Sequence, residues 1–195
     1  MIRLATARDA NALAQIYAPI VASTAISFEL VPPSEPEMAA RAASTLAYVP
    51  WLVCARDDEV WGYAYASRHN ERAAYQWSLN VSAYVHESRR RHGVGRALYT
   101  SLFALLRLQG YYTLHAGVTL PNAGSVGLHE ALGFRPVGVY RSVGHKLGAW
   151  HDVGWWQLAL RERTGEPAPP LSLAEAQRRS GWEAALAAGE PLLRP

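Results

Sequence analysis

The rhythm of hydrophobic and polar positions changes along this chain, and the changes mark its elements. Met1 to Ala5 is a short, mostly apolar run that suits a first strand. Leu13, Ile16, Tyr17 and Ile20 then recur at helical spacing, with Thr6 or Asp9 placed to cap that helix and Pro19 intruding on its last turns. Val31-Pro32-Pro33-Ser34 is a break, and a second helix is predicted from about Glu35 to Ala47. Trp51 to Arg56 reads as a buried strand, turned back at Asp57-Asp58-Glu59. The return, Val60 to Ser67, alternates aromatic and small residues with a period of two, and Ala74 to Val85, rich in Tyr, Trp, Val and Leu, predicts another strand.

Past Gly93-Val94-Gly95, the leucines at 98, 102, 105 and 106 restore the helical period, and Gly110 is a stop. Tyr111 to Thr119 is a strand, Asn122 or Ser125 opens a helix running to Leu132 and ended by Gly133, and Phe134 to Tyr140 and Trp150 to Leu160 are the last two strands. Consecutive strands followed by alternating strands and helices imply a mixed α/β sheet. Thr164 to Pro170 is polar and Pro-rich, a linker, and Leu171 to Ala188 predicts one helix with Ser172 as N-cap and Gly189 as stop. Residues 1–162 therefore read as one domain and 163–195 as a linker with a short helical extension.

Composition narrows the chemistry. A chain of 195 residues, half of them hydrophobic, has material for a single sizeable core. The formal charge of +3 comes without a basic tail, so no nucleic-acid partner is expected. The one cysteine, Cys54, rules out an intramolecular disulfide and sits in an apolar run as a small core residue. No His-x-x-x-His pair falls on a predicted helix, so no metal is expected. No stretch has membrane-spanning length and the N-terminus lacks a leader pattern, giving the expectation of a cytoplasmic protein without a membrane partner.

The segment from Tyr84 to Arg96 carries the first chemical signal: a strand enters a glycine-containing turn that opens directly into a helix. Main-chain N–H groups curled inward at a helix N-terminus suit a pyrophosphate. The third glycine of a dinucleotide fingerprint is absent, and so is the Gly-Lys-Ser/Thr end of a P-loop. Arg90, Gly93 and Gly95 instead fill Arg-x-x-Gly-x-Gly, which resembles the acetyl-CoA loop of the GNAT acetyltransferase superfamily. The stretch from Leu120 to Phe134, with Asn122 at a helix start and Gly133-Phe134 at its end, resembles the second cofactor-contacting motif of that superfamily.

Within the superfamily, Leu-His-Glu-Ala-Leu-Gly at 128–133 is characteristic of the phosphinothricin acetyltransferase group. Pro50 to Val53, Ala74 to Trp77 with Ala83 to Val85, and Gly144 to Gly154 resemble the same group, so the likeness runs from about residue 2 to residue 160. The resemblance implies a GNAT-type mixed sheet of about seven strands and direct transfer of acetyl from acetyl-CoA to the amine of a small amino acid or analogue. It also implies a homodimer. As cofactor-binding residues it implies Ala83, Tyr84, Val85, Arg90, Arg91, His92, Gly93, Val94, Gly95, Arg96, Asn122 and Ser125. Phe28, Arg72 and Tyr75 match its substrate-binding positions, whereas Lys146, His151 and Asp152 in its late loop and strand read as structural.

Two positions depart from the group. Asn70 stands where it has a lysine, and Asn80 where it has the glutamate that is the usual candidate for general base. An amide cannot accept the proton that the amine must lose. Three explanations stay open: Asn80 holds a water that carries the proton away, His129 acts as base as well as or instead of acid, or the chain acetylates poorly or binds CoA without turnover. A peptide or protein amine is the alternative acceptor.

Overall fold

A computed structural model of the chain describes residues 1–57, 59–163 and 165–194. Asp58 of the expected turn, Thr164 at the head of the expected linker and the terminal Pro195 lie outside the described residues.

Seven strands form one sheet in the order β1-β2-β3-β4-β5-β7-β6. β1 (Ile2–Leu4), β2 (Trp51–Arg56), β3 (Glu59–Arg68) and β4 (Ser78–Val85) pair antiparallel in turn. β5 (Thr113–Leu120) lies parallel to β4, β7 (Ala149–Ala159) antiparallel to β5, and β6 (Arg135–Lys146) closes the far edge against β7. Alternating residues send their side chains to opposite faces. On one face Leu79, Val81, Leu114, Ala116 and Val118 pack under α3 (Val94–Gln109), with Leu128 of α4 (Ala123–Ala131) beside them. On the other, Trp51, Val53 and Tyr63 pack under α1 (Ala10–Ser23) and α2 (Glu35–Leu46).

The feature that positions the site is a short ladder. β4 and β5 are joined only through Ser78↔Thr113, Leu79↔Leu114 and Asn80↔His115. Beyond that rung β4 stays paired with β3 as far as Val85↔Gly62, and β5 with β7 as far as Leu120↔Asp152. The strands part, and main-chain polar groups line the gap without a sheet partner, a condition that calls for water or a ligand.

Three elements differ from expectation. Ala74 to Trp77 is not strand: Ala73–Tyr75 forms a 3-10 turn, and the Trp77 carbonyl accepts from the N–H groups of Tyr112 and Thr113, so β4 begins at Ser78. β6 continues past Tyr140 to Lys146 across an irregularity at Ser142 (φ 46°), whose N–H donates to Asp152 Oδ1 at 2.8 Å. The tail is two helices, not one. α5 (Leu173–Gln177), capped by Ser172, and α6 (Trp182–Ala187) are separated at Gly181, where φ is 95°. Leu173, Ala176 and Trp182 are buried in the core under α3, and the Gly189 N–H donates to Ser101 Oγ at 3.0 Å.

Candidate active site

β4 leads into the glycine turn through a 3-10 turn at Glu87–Arg89. Arg91 (φ 68°) and Gly93 (φ 79°) are both left-handed, so the backbone curls before α3 starts at the buried Val94. The first N–H groups of a helix have no partner within it and carry partial positive charge. Arg89 is spent structurally: it bonds the Glu59 carboxylate and lies 4.9 Å over the Trp61 ring. Arg90, Arg91 and Arg96 are exposed and make no ion pair among the described residues. His92 turns its Nδ1 to the Arg90 carbonyl at 2.9 Å. Gly95 lets α4 approach, since a Cβ there would lie 3.2 Å from Leu128 Cδ2. One side of the turn is covered by the chain's own end: the Arg194 N–H donates to the His92 carbonyl at 3.0 Å, and a Cβ on Gly93 would stand 2.1 Å from the Leu192 carbonyl oxygen.

Across the gap, Asn122 caps α4, its Oδ1 accepting from the Ser125 N–H at 3.1 Å. Ala83, Tyr84 and Val85 are half-buried on the β4 side, with the Tyr84 ring 4.8 Å from Tyr17 and 5.3 Å from Tyr63. His129 does not face the gap with an open nitrogen. Its Nδ1 lies 2.7 Å from the Ser125 carbonyl, its Nε2 3.2 Å from the Tyr99 hydroxyl, and Phe134 meets the ring edge-on. Only 5% of the residue is exposed. Burial pushes its pKa below the ordinary histidine value, against the pull of the Ser125 carbonyl.

Asn80 stands on the α1/α2 face at the last rung of the β4–β5 ladder, and two histidines that the sequence did not single out meet it there. The His69 Nδ1 is 2.9 Å from Asn80 Oδ1, and the His69 and His115 rings stack at 4.1 Å. His115 Nδ1 is buried and has no hydrogen-bond partner among the described residues. The signal was a histidine at mid-strand in Leu114-His115-Ala116, the position that would pair with Asn80 across a parallel rung.

The expected substrate residues fall into two places. Tyr75 and Arg72, both exposed, line a recess of about 230 Å³ with Tyr48, Arg68 and Glu71, and Tyr75 also approaches His69 at 5.8 Å. Phe28 lies on the α1–α2 connection, where its ring covers Gly144 of β6 and sits 6.3 Å from His151. Lys146 anchors that connection from below, buried, donating to the Val21 and Ser27 carbonyls at 2.6 Å each. Asp152 braces β6 by bonding Arg141 and the Ser142 N–H. Tyr17 bonds Ser27 and Glu29, and burial raises its pKa to about 12.

Residues 2–155 match the model of the acetyltransferase (GNAT) domain. The chain belongs to the GNAT acetyltransferase family. This GNAT chain is 37% identical over 169 residues to the phosphinothricin N-acetyltransferase of Streptomyces viridochromogenes, covering 87% of the chain and 90% of that protein. It is 31% identical over 168 residues to the L-methionine sulfoximine/L-methionine sulfone acetyltransferase of Salmonella typhimurium, covering 86% of the chain and 98% of that protein. The solved phosphinothricin acetyltransferase of Sinorhizobium meliloti in complex with AcCoA superposes with a TM-score of 0.81 at 33% identity, covering 86% of this GNAT chain and 92% of that one.

Proposed function

We propose that this N-acetyltransferase moves acetyl from acetyl-CoA directly to the amine of a small amino acid or analogue of the phosphinothricin and methionine sulfoximine kind. The observation that carries the reading is the parting of β4 and β5 beside an arginine-bearing turn at a helix N-terminus. The N–H groups around Gly93 to Gly95, with Arg90, Arg91 and Arg96, fit a diphosphate. The unpaired edges of β4 and β5, ending at Ala83 to Val85 and at the Asn122-Ser125 cap, fit an arm carrying amide groups. When bound, the thioester supplies an acetyl carbon activated toward amines. The relatives named for phosphinothricin and methionine sulfoximine support the substrate class.

In this reading His129 is a positioning residue. Both its nitrogens are engaged, so it ties α4 to Tyr99 of α3 and holds the wall behind the gap. Residues 1–162 form the catalytic unit, and 163–195 brace α3 and the turn. A homodimer is part of the proposal, supported by the apolar outer edge at Val137, Tyr140, Val143, Leu147 and Trp150, all more than half exposed.

Thiol release from acetyl-CoA tests the function, with phosphinothricin, L-methionine sulfoximine and a peptide with an unblocked N-terminus as acceptors. Saturable release with an amino acid is expected. Release with the peptide alone would transfer the activity to a macromolecular amine.

A further inference from the structure

Resting on that acetyl-transfer reading, we propose that His69 is the group that takes the proton from the acceptor amine, and that Asn80 and His115 hold its ring in place to do so.

The placement comes first. Asn80↔His115 is the rung at which β4 and β5 separate, and His69 follows the end of β3 directly, beside Asn80. The α3/α4 face of this region is filled by Leu79, Val81, Leu114, Ala116 and Val118. A small amine therefore reaches the gap from the opposite face, where His69, His115 and Tyr84 stand. There the His69 ring is fixed on three sides: stacked on His115 at 4.1 Å, with Tyr75 at 5.8 Å and the edge of Trp155 at 6.4 Å.

Hydrogen bonding then sets the tautomer. Asn80 Nδ2 faces the Arg68 carbonyl at 3.4 Å, which turns Oδ1 toward His69. An amide oxygen only accepts, so His69 Nδ1 carries the hydrogen and the lone pair lies on Nε2. The substitution that removes a carboxylate at residue 80 thus leaves an acceptor suited to orienting an imidazole. His129 offers no comparable nitrogen, since both of its own are occupied.

Burial lowers the His115 pKa, and the neighbouring His69 and Arg163 lower it further, against the upward pull of the Leu79 backbone and the Gln157 side chain. A proton arriving on His69 is then not contested by a charged His115. Among the described residues, Arg163 and Tyr75 are titratable groups that face the pair.

In the step itself, the ammonium of the acceptor gives a proton to His69 Nε2. The nitrogen lone pair so released bonds to the acetyl carbonyl carbon. The carbon–sulfur bond breaks with its electron pair going to sulfur, which takes the second proton from the amine nitrogen. His69 returns its proton to water, so one amide, one thiol and one proton result.

Two measurements decide the assignment. The first is a long-range ¹H–¹⁵N spectrum of histidine-labelled protein, which needs no turnover. His69 hydrogenated at Nδ1 is expected, and a dominant Nε2–H form overturns the proposal. The second is kcat/KM against pH with phosphinothricin or methionine sulfoximine. His69→Gln should lower kcat/KM by roughly 100-fold or more and remove the acidic limb of the profile, with acetyl-CoA affinity by calorimetry unchanged. Asn80→Asp, which keeps the bond to Nδ1 and adds a negative charge, should move that limb to higher pH. A His69→Gln enzyme that keeps both rate and limb, or a limb that Asn80→Asp leaves in place, overturns it. Absence of thiol release by the unsubstituted enzyme with either acceptor counts against the substrate class instead, and the tautomer still decides the role of the ring.

Discussion

An imidazole sealed between two helices trades its proton chemistry for hydrogen bonds, and His129 shows the exchange. Its neutral form bonds Ser125 and Tyr99, and burial lowers its pKa. A histidine whose folded pKa lies below the unfolded value of about 6.5 leaves the unfolded chain binding more protons as pH drops through that value. Its contribution is complete above about pH 6.5 and is lost as pH falls toward the folded pKa. Urea unfolding from pH 7.5 to 5.5 should show stability falling by up to about 1.4 kcal/mol per such histidine one unit below the unfolded pKa. His129→Gln should flatten part of that slope, and His115, whose pKa is lowered too, should contribute in the same direction. An unchanged slope in His129→Gln would mean that the residue titrates normally in the folded protein. At this scale the sequence was legible where neighbours along the chain set the chemistry, as with Asn122 capping α4. The departure at Asn80 was visible as well. Its partner was not, because His69 follows β3 while His115 lies in β5, and they meet only once β3, β4 and β5 are in register.

At the scale of elements, the glycine turn shows the same split between local and distant causes. Arg-x-x-Gly-x-Gly announces a curled backbone, and the left-handed φ of Gly93 is what that pattern demands. The second reason for glycine there, the Leu192 carbonyl, lies at the far end of the chain. Gly93→Ala therefore meets two penalties: a left-handed alanine, about 1 kcal/mol or more, and a clash with the tail backbone. Truncation after Gly189 removes only the clash. Thermal unfolding of the four proteins should show Gly93→Ala costing less in the truncated background than in the full chain, a non-additivity expected of groups in contact. Equal costs in both would mean that the tail does not press on the turn in solution. The misplaced start of β4 and the unforeseen break in the tail have the same kind of cause. The Trp77 indole donates to the Ala168 carbonyl at 2.8 Å, and α6 turns at Gly181 to bury Trp182 against the core, bonds that no window of a few residues contains.

Over the whole molecule, the two edges of the sheet are treated differently. β1 is three residues long, and its Ile2 N–H donates to the tail residue Glu190 at 2.7 Å, so little backbone is left open there. β6 is twelve residues long and forms the opposite edge. Long apolar edges invite pairing, and chains that remain alone usually blunt them with charge, proline or a covering loop. Here the side chains at 137, 140 and 143 are Val, Tyr and Val, and Leu147 and Trp150 extend the apolar surface around the hairpin into β7. Arg135 and Pro136 stand at the start of the strand, Arg141 is engaged by Asp152, and Lys146 at its end is turned inward to the Val21 and Ser27 carbonyls. Apolar side chains thus flank the Arg141–Asp152 pair along this edge, an arrangement suited to a second copy meeting it. Sedimentation velocity at micromolar concentration should give about twice the 21.4 kDa chain mass. Val137→Lys with Tyr140→Lys should return the single-chain mass, because two cations set in an apolar interface are costly to desolvate. Both positions are well exposed in the single chain, so the melting temperature at high dilution should stay within a few degrees. An unsubstituted protein that sediments as one chain at every concentration would show that this edge does not meet its own copy.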